Sequence, residues 1–212
     1  MKKYLYRGII YIIGIFFLAF SVAFAVNSDL GISPVNSFPN AISIVSGVSL
    51  GTCASAVFIF YVLLQIVILR KKFKWYNIFQ IVVSLMFGYF TDFAKKTLGS
   101  FCFPTYAGRL LMLGISIVLI AIGISLYTDV KLIPMPSEGL TLTFSEAFGI
   151  KFHNMKIIQD CVSVSLAIII SLVFTGKILG VREGTLISAL LVGKLIGLLQ
   201  KKIKPAIEKI CF

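Results

Sequence analysis

The chain alternates between long apolar runs and short, basic connections. Near-continuous hydrophobic stretches cover about 7–27, 52–69, 75–94, 107–127, 157–175 and 183–200. Each approaches the ~20 residues that an α-helix needs to cross the hydrocarbon core of a bilayer. Two shorter and less apolar segments stand between them. One opens with Gly31-Ile32-Ser33-Pro34-Val35-Asn36 and runs to Gly47; the other opens with Pro134-Met135-Pro136-Ser137-Glu138-Gly139 and runs to Gly149. Proline suits the first turn of a helix and glycine the position just past its end. Both segments are therefore expected to be helices of about three turns, too short to span.

Composition agrees with that pattern. Of 212 residues, 58% are apolar and 13% charged, against roughly 45–50% and about 25% in a soluble domain. A water-soluble fold of this size could not hide so much hydrocarbon, which excludes a cytosolic enzyme, a secreted domain and a disordered chain. The expectation is an all-α, polytopic membrane protein, a single membrane domain over 1–212. Met1-Lys2-Lys3, an apolar run and Ala23-Phe24-Ala25 mimic a cleavable signal peptide. The run is nearly span length and more follow, so an uncleaved first helix is expected.

The net charge of +12 changes the picture in one respect, orientation. Of the 20 basic residues, all but Lys194 fall at the ends of apolar runs or between them, as cytoplasmic flanks do and a nucleic-acid-binding face does not. Fourteen fall on one side, in the N-terminus, 70–74, 131–156 and the C-terminal tail, and five on the other, in 95–109 and 177–182. Both termini are thus expected in the cytoplasm.

The chain also matches itself. At an offset of 100, Gly8, Gly14 and Asp29 meet Gly108, Gly114 and Asp129; at 102, Pro34, Ser43 and Gly47 meet Pro136, Ser145 and Gly149; at 105, Gly88 meets Gly193. The drift is what loop insertions produce. Residues 1–100 and 101–212 then form two repeats of three spans each. An odd number of spans inverts the second repeat relative to the first, a common transporter plan. The short helix in each repeat is expected to re-enter the membrane, one from each face, and to present its N-terminal N–H groups to a polar cavity.

The runs Gly31-Ile32-Ser33-Pro34-Val35-Asn36, Gly47-Val48-Ser49-Leu50-Gly51-Thr52 and Val181-Arg182-Glu183-Gly184-Thr185 resemble the bacterial YczE/YyaS/YitT-type membrane proteins. The resemblance covers most of the chain. It implies a six-span integral protein of a bacterial plasma membrane and carries no substrate with it. Lys194 stands where that pattern leads one to expect a neutral residue.

Candidate ligand-binding residues follow from placement. Asn36 and Ser37 lie in the first turn of one short helix, and Ser137 and Glu138 in that of the other. Arg182, Glu183 and Thr185 open the last span, where an arginine can take a carboxylate or phosphate bidentately. Lys194 lies eleven residues further on, about 16 Å along the same face as Glu183, as an anion ligand or a snorkelling side chain. Asp92, Asp160 and His153 are expected at interfaces or in loops. The four scattered cysteines have no metal-ligand spacing and are expected to pack, and no metal or cofactor motif is present. Ser84-x-x-x-Gly88 and Ala189-x-x-x-Gly193 are expected to pack the third span against the sixth.

No catalytic signature occurs, so an enzyme is not expected. The leading expectation is a transporter of a small polar or anionic solute, bound near mid-membrane between the two half-helix N-termini. The alternatives are a substrate-capture subunit of an energy-coupling vitamin transporter, docking an ATPase-bearing complex through Ala19-x-x-x-Ala23, and a non-transporting accessory protein. The expected partners are the lipid bilayer, a solute, and a second copy or such a complex.

Overall fold

A computed structural model describes residues 2–211, and among them every regular element is helical. The order is α1 (Lys2–Ser28), α2 (Pro34–Ser46), α3 (Leu50–Leu69), α4 (Gln80–Leu98), α5 (Tyr106–Asp129), α6 (Pro136–Phe148), α7 (Phe152–Thr175) and α8 (Glu183–Cys211). Two 3₁₀ segments, Arg70–Lys72 and Trp75–Phe79, join α3 to α4. Five stretches are long and apolar enough to cross a membrane: Lys3–Ser28, Leu50–Lys72, Trp75–Leu98, Tyr106–Asp129 and Phe152–Thr175. α8 is the longest helix, yet it is not among them; it carries Lys194, four further lysines beyond residue 200, and Pro205. The all-helical, multi-pass character expected from the sequence is therefore present.

The short helices α2 and α6 begin and end where proline and glycine predict. Pro34 and Pro136 are their first residues, and Gly47 (φ +71°) and Gly149 (φ +66°) follow them in the left-handed region. Each end carries the same side-chain bond: the Ser43 hydroxyl donates to Val48 O at 2.7 Å, and the Ser145 hydroxyl to Ile150 O at 2.6 Å. A side-chain donor takes up a carbonyl in the connection that follows, where the helix no longer supplies partners.

The helices divide into two compact units, and neither unit is one half of the chain. The first comprises Met1–Ser33, Phe90–Leu132 and Arg182–Phe212, and the second Pro34–Tyr89 and Ile133–Val181.

The first unit is built on α1 and α5, which run antiparallel. Gly14 meets Gly123 where they cross: a Cβ on Gly14 would stand 2.9 Å from Gly123 O, and one on Gly123 2.8 Å from Gly14 O. Only glycine on both sides permits so close an approach. At one end Arg7 of α1 donates to Val130 O at 3.0 and 2.8 Å, just past the end of α5. At the other, Arg109 of α5 pairs with Asp29 at 3.0 Å, just past the end of α1. Midway, the Ser116 hydroxyl donates to Ser21 O at 2.8 Å. α8 packs on α5 through Leu113, Ile117, Ile187 and Val192, with Leu30 in the same cluster.

The second unit sets α2 against α7 and α3, and α6 against α3 and α7. Here Gly88 of α4 is seated on α3, since a Cβ would fall 1.9 Å from Ser55 Oγ and 2.3 Å from Gly51 O; Ser55 also donates to Ser84 O at 3.1 Å. This corrects the expected pairing of Ser84-x-x-x-Gly88 with Ala189-x-x-x-Gly193. The partner is the small-residue face of α3, whereas a Cβ on Gly193 or Gly197 would meet open space. A glycine stripe advertises close approach without naming the partner helix.

Candidate functional site

α6 opens with Pro136, which needs no N–H partner and fixes the backbone for a first turn. Pro136, Ser137 and Gly139 lie against three glutamines from three other helices, all within the second unit. Gln65 of α3, only 1% exposed, and Gln80, the first residue of α4, form a reciprocal amide pair. Gln65 Nε2 donates to Gln80 Oε1 at 3.0 Å, and Gln80 Nε2 returns a bond to Gln65 Oε1 at 3.3 Å. Gln65 Nε2 also donates to Pro136 O at 3.3 Å. The amides reach the helix because residue 139 has no side chain. A Cβ there would stand 2.8 Å from Gln65 Oε1 and 2.9 Å from both polar atoms of Gln80.

On α7, Gln159 Nε2 donates to Ser137 O at 3.1 Å. The Thr141 hydroxyl lies 2.9 Å from Ser137 O and also within bonding reach of Gln159 Oε1. One turn along α7, Ser163 shares a hydrogen bond with Tyr61 of α3. Lys156 and Asp160 pair at 2.7 Å on the same helix, so Asp160 has a local counter-ion. The first turn of α6 is thus surrounded by neutral groups that each offer donors and acceptors. In low dielectric such groups are costly unless paired, and here they are paired.

The first turn of α2 is built differently. Ser37 and Asn40 are buried and Asn36 is half-buried. Asn40 lies against Gly180 (φ +75°), where a Cβ would fall 2.4 Å from Asn40 Nδ2. Of the expected residues, Ser137 is buried at the amide cluster, and Glu138, the next residue of the same turn, is half-buried.

Arg182, Glu183 and Thr185 belong to the first unit and come together there, but as a clasp on the chain itself. Arg182 Nη1 donates to Asp29 O at 2.8 Å and stands 3.5 Å from Asp29 Oδ2; its other nitrogens reach Glu183 at 3.4 Å. Gly184 N donates to Leu30 O at 2.8 Å. Gly31 (φ +100°) is pressed against Thr185 Oγ1 and Arg182 N, at 2.6 and 2.7 Å from a notional Cβ. The Val181–Thr185 motif therefore fastens the link between α1 and α2. Leu30 sits beside Leu113 and Ile117, one to two turns further along α5 than Arg109, which holds Asp29. The link thus descends along α5 before α2 begins.

Lys194 lies on the exposed face of α8, in line with the exposed Leu186, Leu190 and Leu198. His153 is exposed and Asp92 half-buried. The three glutamines are not among the residues the sequence pointed to. Their signal was a carboxamide beside or inside an apolar stretch, at 65, 80 and 159.

Comparison with known sequences places this architecture. A family model of unknown function, DUF6198, matches residues 5–201. The chain belongs to that family. It is also 24% identical over 202 residues to the "Uncharacterized protein YyaS" of Bacillus subtilis (strain 168), covering 92% of this chain and 90% of that one. No solved structure matches it.

Proposed function

We propose that this DUF6198 protein is a membrane transporter of a small polar or anionic solute, with α6 supplying a principal binding element. The observation that carries the reading is the ring of Gln65, Gln80, Gln159 and Thr141 around the first turn of α6. Structure alone does not require four hydrogen-bonding side chains around a short buried helix; apolar residues would fill the volume at lower cost. Neutral amides beside a helix N-terminus suit a ligand that accepts from N–H groups and also donates.

The finer fold belongs to the same proposal: six spans in two inverted repeats, 1–100 and 101–212, with α2 and α6 re-entrant, of the YczE/YitT type. Three equivalences support it. Arg7 holds the end of α5 as Arg109 holds the end of α1. Lys95 of α4 donates to Asn27 of α1 at 2.8 Å, as Gln200 of α8 donates to Thr128 and Asp129 of α5 at 3.3 Å. Ser43 and Ser145 close α2 and α6 in the same way. Mates that pair antiparallel, as α1 and α5 do, are what an axis in the membrane plane demands. Re-entry is supported by the buried N-terminal halves of α2 and α6 and the exposed Ile44, Val48, Leu142 and Phe148 towards and beyond their C-terminal ends.

Ala19 and Ala23, through which the energy-coupling reading would dock its partner, are wholly buried, which favours the transporter reading over that one. The test uses the purified full chain. A thermal-shift screen against polar and anionic metabolites should find a stabilising solute, with a shift that grows with ligand excess. The same solute should be taken up by proteoliposomes, and Gln65→Leu should abolish both effects. Glu138→Gln should alter the pH profile of uptake. A folded protein that no solute stabilises would favour the accessory reading. Orientation is tested by labelling in a cysteine-free background: Val48→Cys, on an exposed residue, should react from outside, and Lys72→Cys should not.

A further inference from the structure

One acidic group in the first unit has no place in the site above. Asp129, the last residue of α5, is only 8% exposed. Its Oδ1 accepts from Gln200 Nε2 of α8 at 3.3 Å, while its Oδ2 is buried with no hydrogen-bond partner among the described residues. Gln200 Nε2 also reaches Thr128 Oγ1 at 3.3 Å, and that hydroxyl donates to Ile124 O at 2.5 Å. Neither group has a donor left for Oδ2.

The charged groups around it come from every neighbouring element. Lys204 and Glu208 lie on α8, on the stripe that continues from Gln200 at intervals of four, and Lys131 lies in the link after α5. From α1, Arg7 is engaged with Val130 O and with Lys131 O at 3.1 Å. A buried carboxylate oxygen without a donor is costly. Two species present at this end of the molecule can relieve it: the Lys204 ammonium, one turn beyond Gln200, or a proton. The sequence-equivalent Asp29 has no such choice to make, since it is exposed and met by Arg109 and Arg182.

We propose that Asp129 is a reversible proton-binding site that switches the contact between α5 and the C-terminal part of α8. In the ionised form the free oxygen draws in Lys204 and fastens α8 to α5. A proton taken from water adds to that oxygen, neutralises the carboxyl and releases Lys204. Only one further step rests on the transport reading, namely that this proton is the coupling ion.

The test needs no solute, so its failure is separable from failure of that reading. Infrared spectra of the full chain in lipid nanodiscs are recorded across about pH 5 to 9. With only eight acidic residues in the chain, the carbonyl stretch of a protonated carboxyl can be assigned by substitution. The wild type should show a band that titrates away in this range, and Asp129→Asn should lack it while keeping its helical content. Lys204→Met and Glu208→Gln should displace the midpoint in opposite senses, each by about half a pH unit or more. Identical titrations for wild type and Asp129→Asn would overturn the proposal, as would midpoints indifferent to both neighbours.

Discussion

The two units solve the same problem, holding helices together where water does not drive them together, by different means. The first unit relies on a glycine-to-glycine crossing and places its charges at the ends. Arg7 and Arg109 each engage the far end of the partner helix, and Arg182 adds to the second of these. The second unit also has a glycine approach, at Gly88, but fills its middle with carboxamides and hydroxyls. Charge is tolerable at helix ends, where headgroups and water are near, and costly within the span. On the proposed function, the first unit is the scaffold and the second supplies the polar groups that would meet a solute.

That contrast can be broken at several points. The largest effects should come from the crossings. Gly88→Ala forces a Cβ into the Gly51 carbonyl and should cost about 3 kcal/mol or more, read as loss of folded protein after extraction. Gly123→Ala should behave likewise, whereas Gly193→Ala, with open space around it, should stay within about 0.5 kcal/mol of wild type. If Gly193→Ala is as damaging as Gly88→Ala, the seating of α4 on α3 is wrong.

The amide pair comes next. Gln65→Leu or Gln80→Leu alone strands a buried carboxamide and should cost roughly 1–3 kcal/mol. The double substitution removes both partners and should cost less than the two together, a coupling that a double-mutant cycle of melting points would measure. Additive losses would mean that the two side chains do not act as a pair.

The end clamps should matter least. Arg7→Met loses charge-assisted bonds to two carbonyls and should cost about 1.5 kcal/mol, changing little with salt. Arg109→Met loses a largely exposed ion pair, worth up to about 1 kcal/mol, and its effect should fade as ionic strength rises. Should Arg109→Met prove costlier than Gln65→Leu, the division of labour between the units would be reversed.

Much of this was legible in the sequence because covalent geometry leaves few choices. Pro34, Pro136, Gly47 and Gly149 bounded α2 and α6 to within a residue, since no other residue types suit those backbone positions as well. The apolar runs gave the long helices for the same kind of reason. What was hidden was relational. Arg182 looked like a ligand residue because its donors suit an anion, and the anions it meets are the chain's own Asp29 and Glu183. The Ser84 and Gly88 stripe was visible, but nothing local distinguishes α3 from α8 as its counterpart. Gln65, Gln80 and Gln159 were overlooked because a neutral carboxamide barely interrupts an apolar run, and only the fold gathers the three around α6.

The interleaving of the units also bears on how the protein is made. α1 leaves the ribosome first, yet the helix that fills the groove at Gly14 is α5, which begins at residue 106. At roughly 5–20 residues per second, α1 waits on the order of ten seconds in the bilayer with its packing face open and Arg7 without the carbonyls it will hold. α3 must likewise outlast the synthesis of α6 and α7. Neither half of the gene encodes a part that can finish alone, so a chain truncated after residue 100 should be handled by the cell as unfinished membrane protein and degraded.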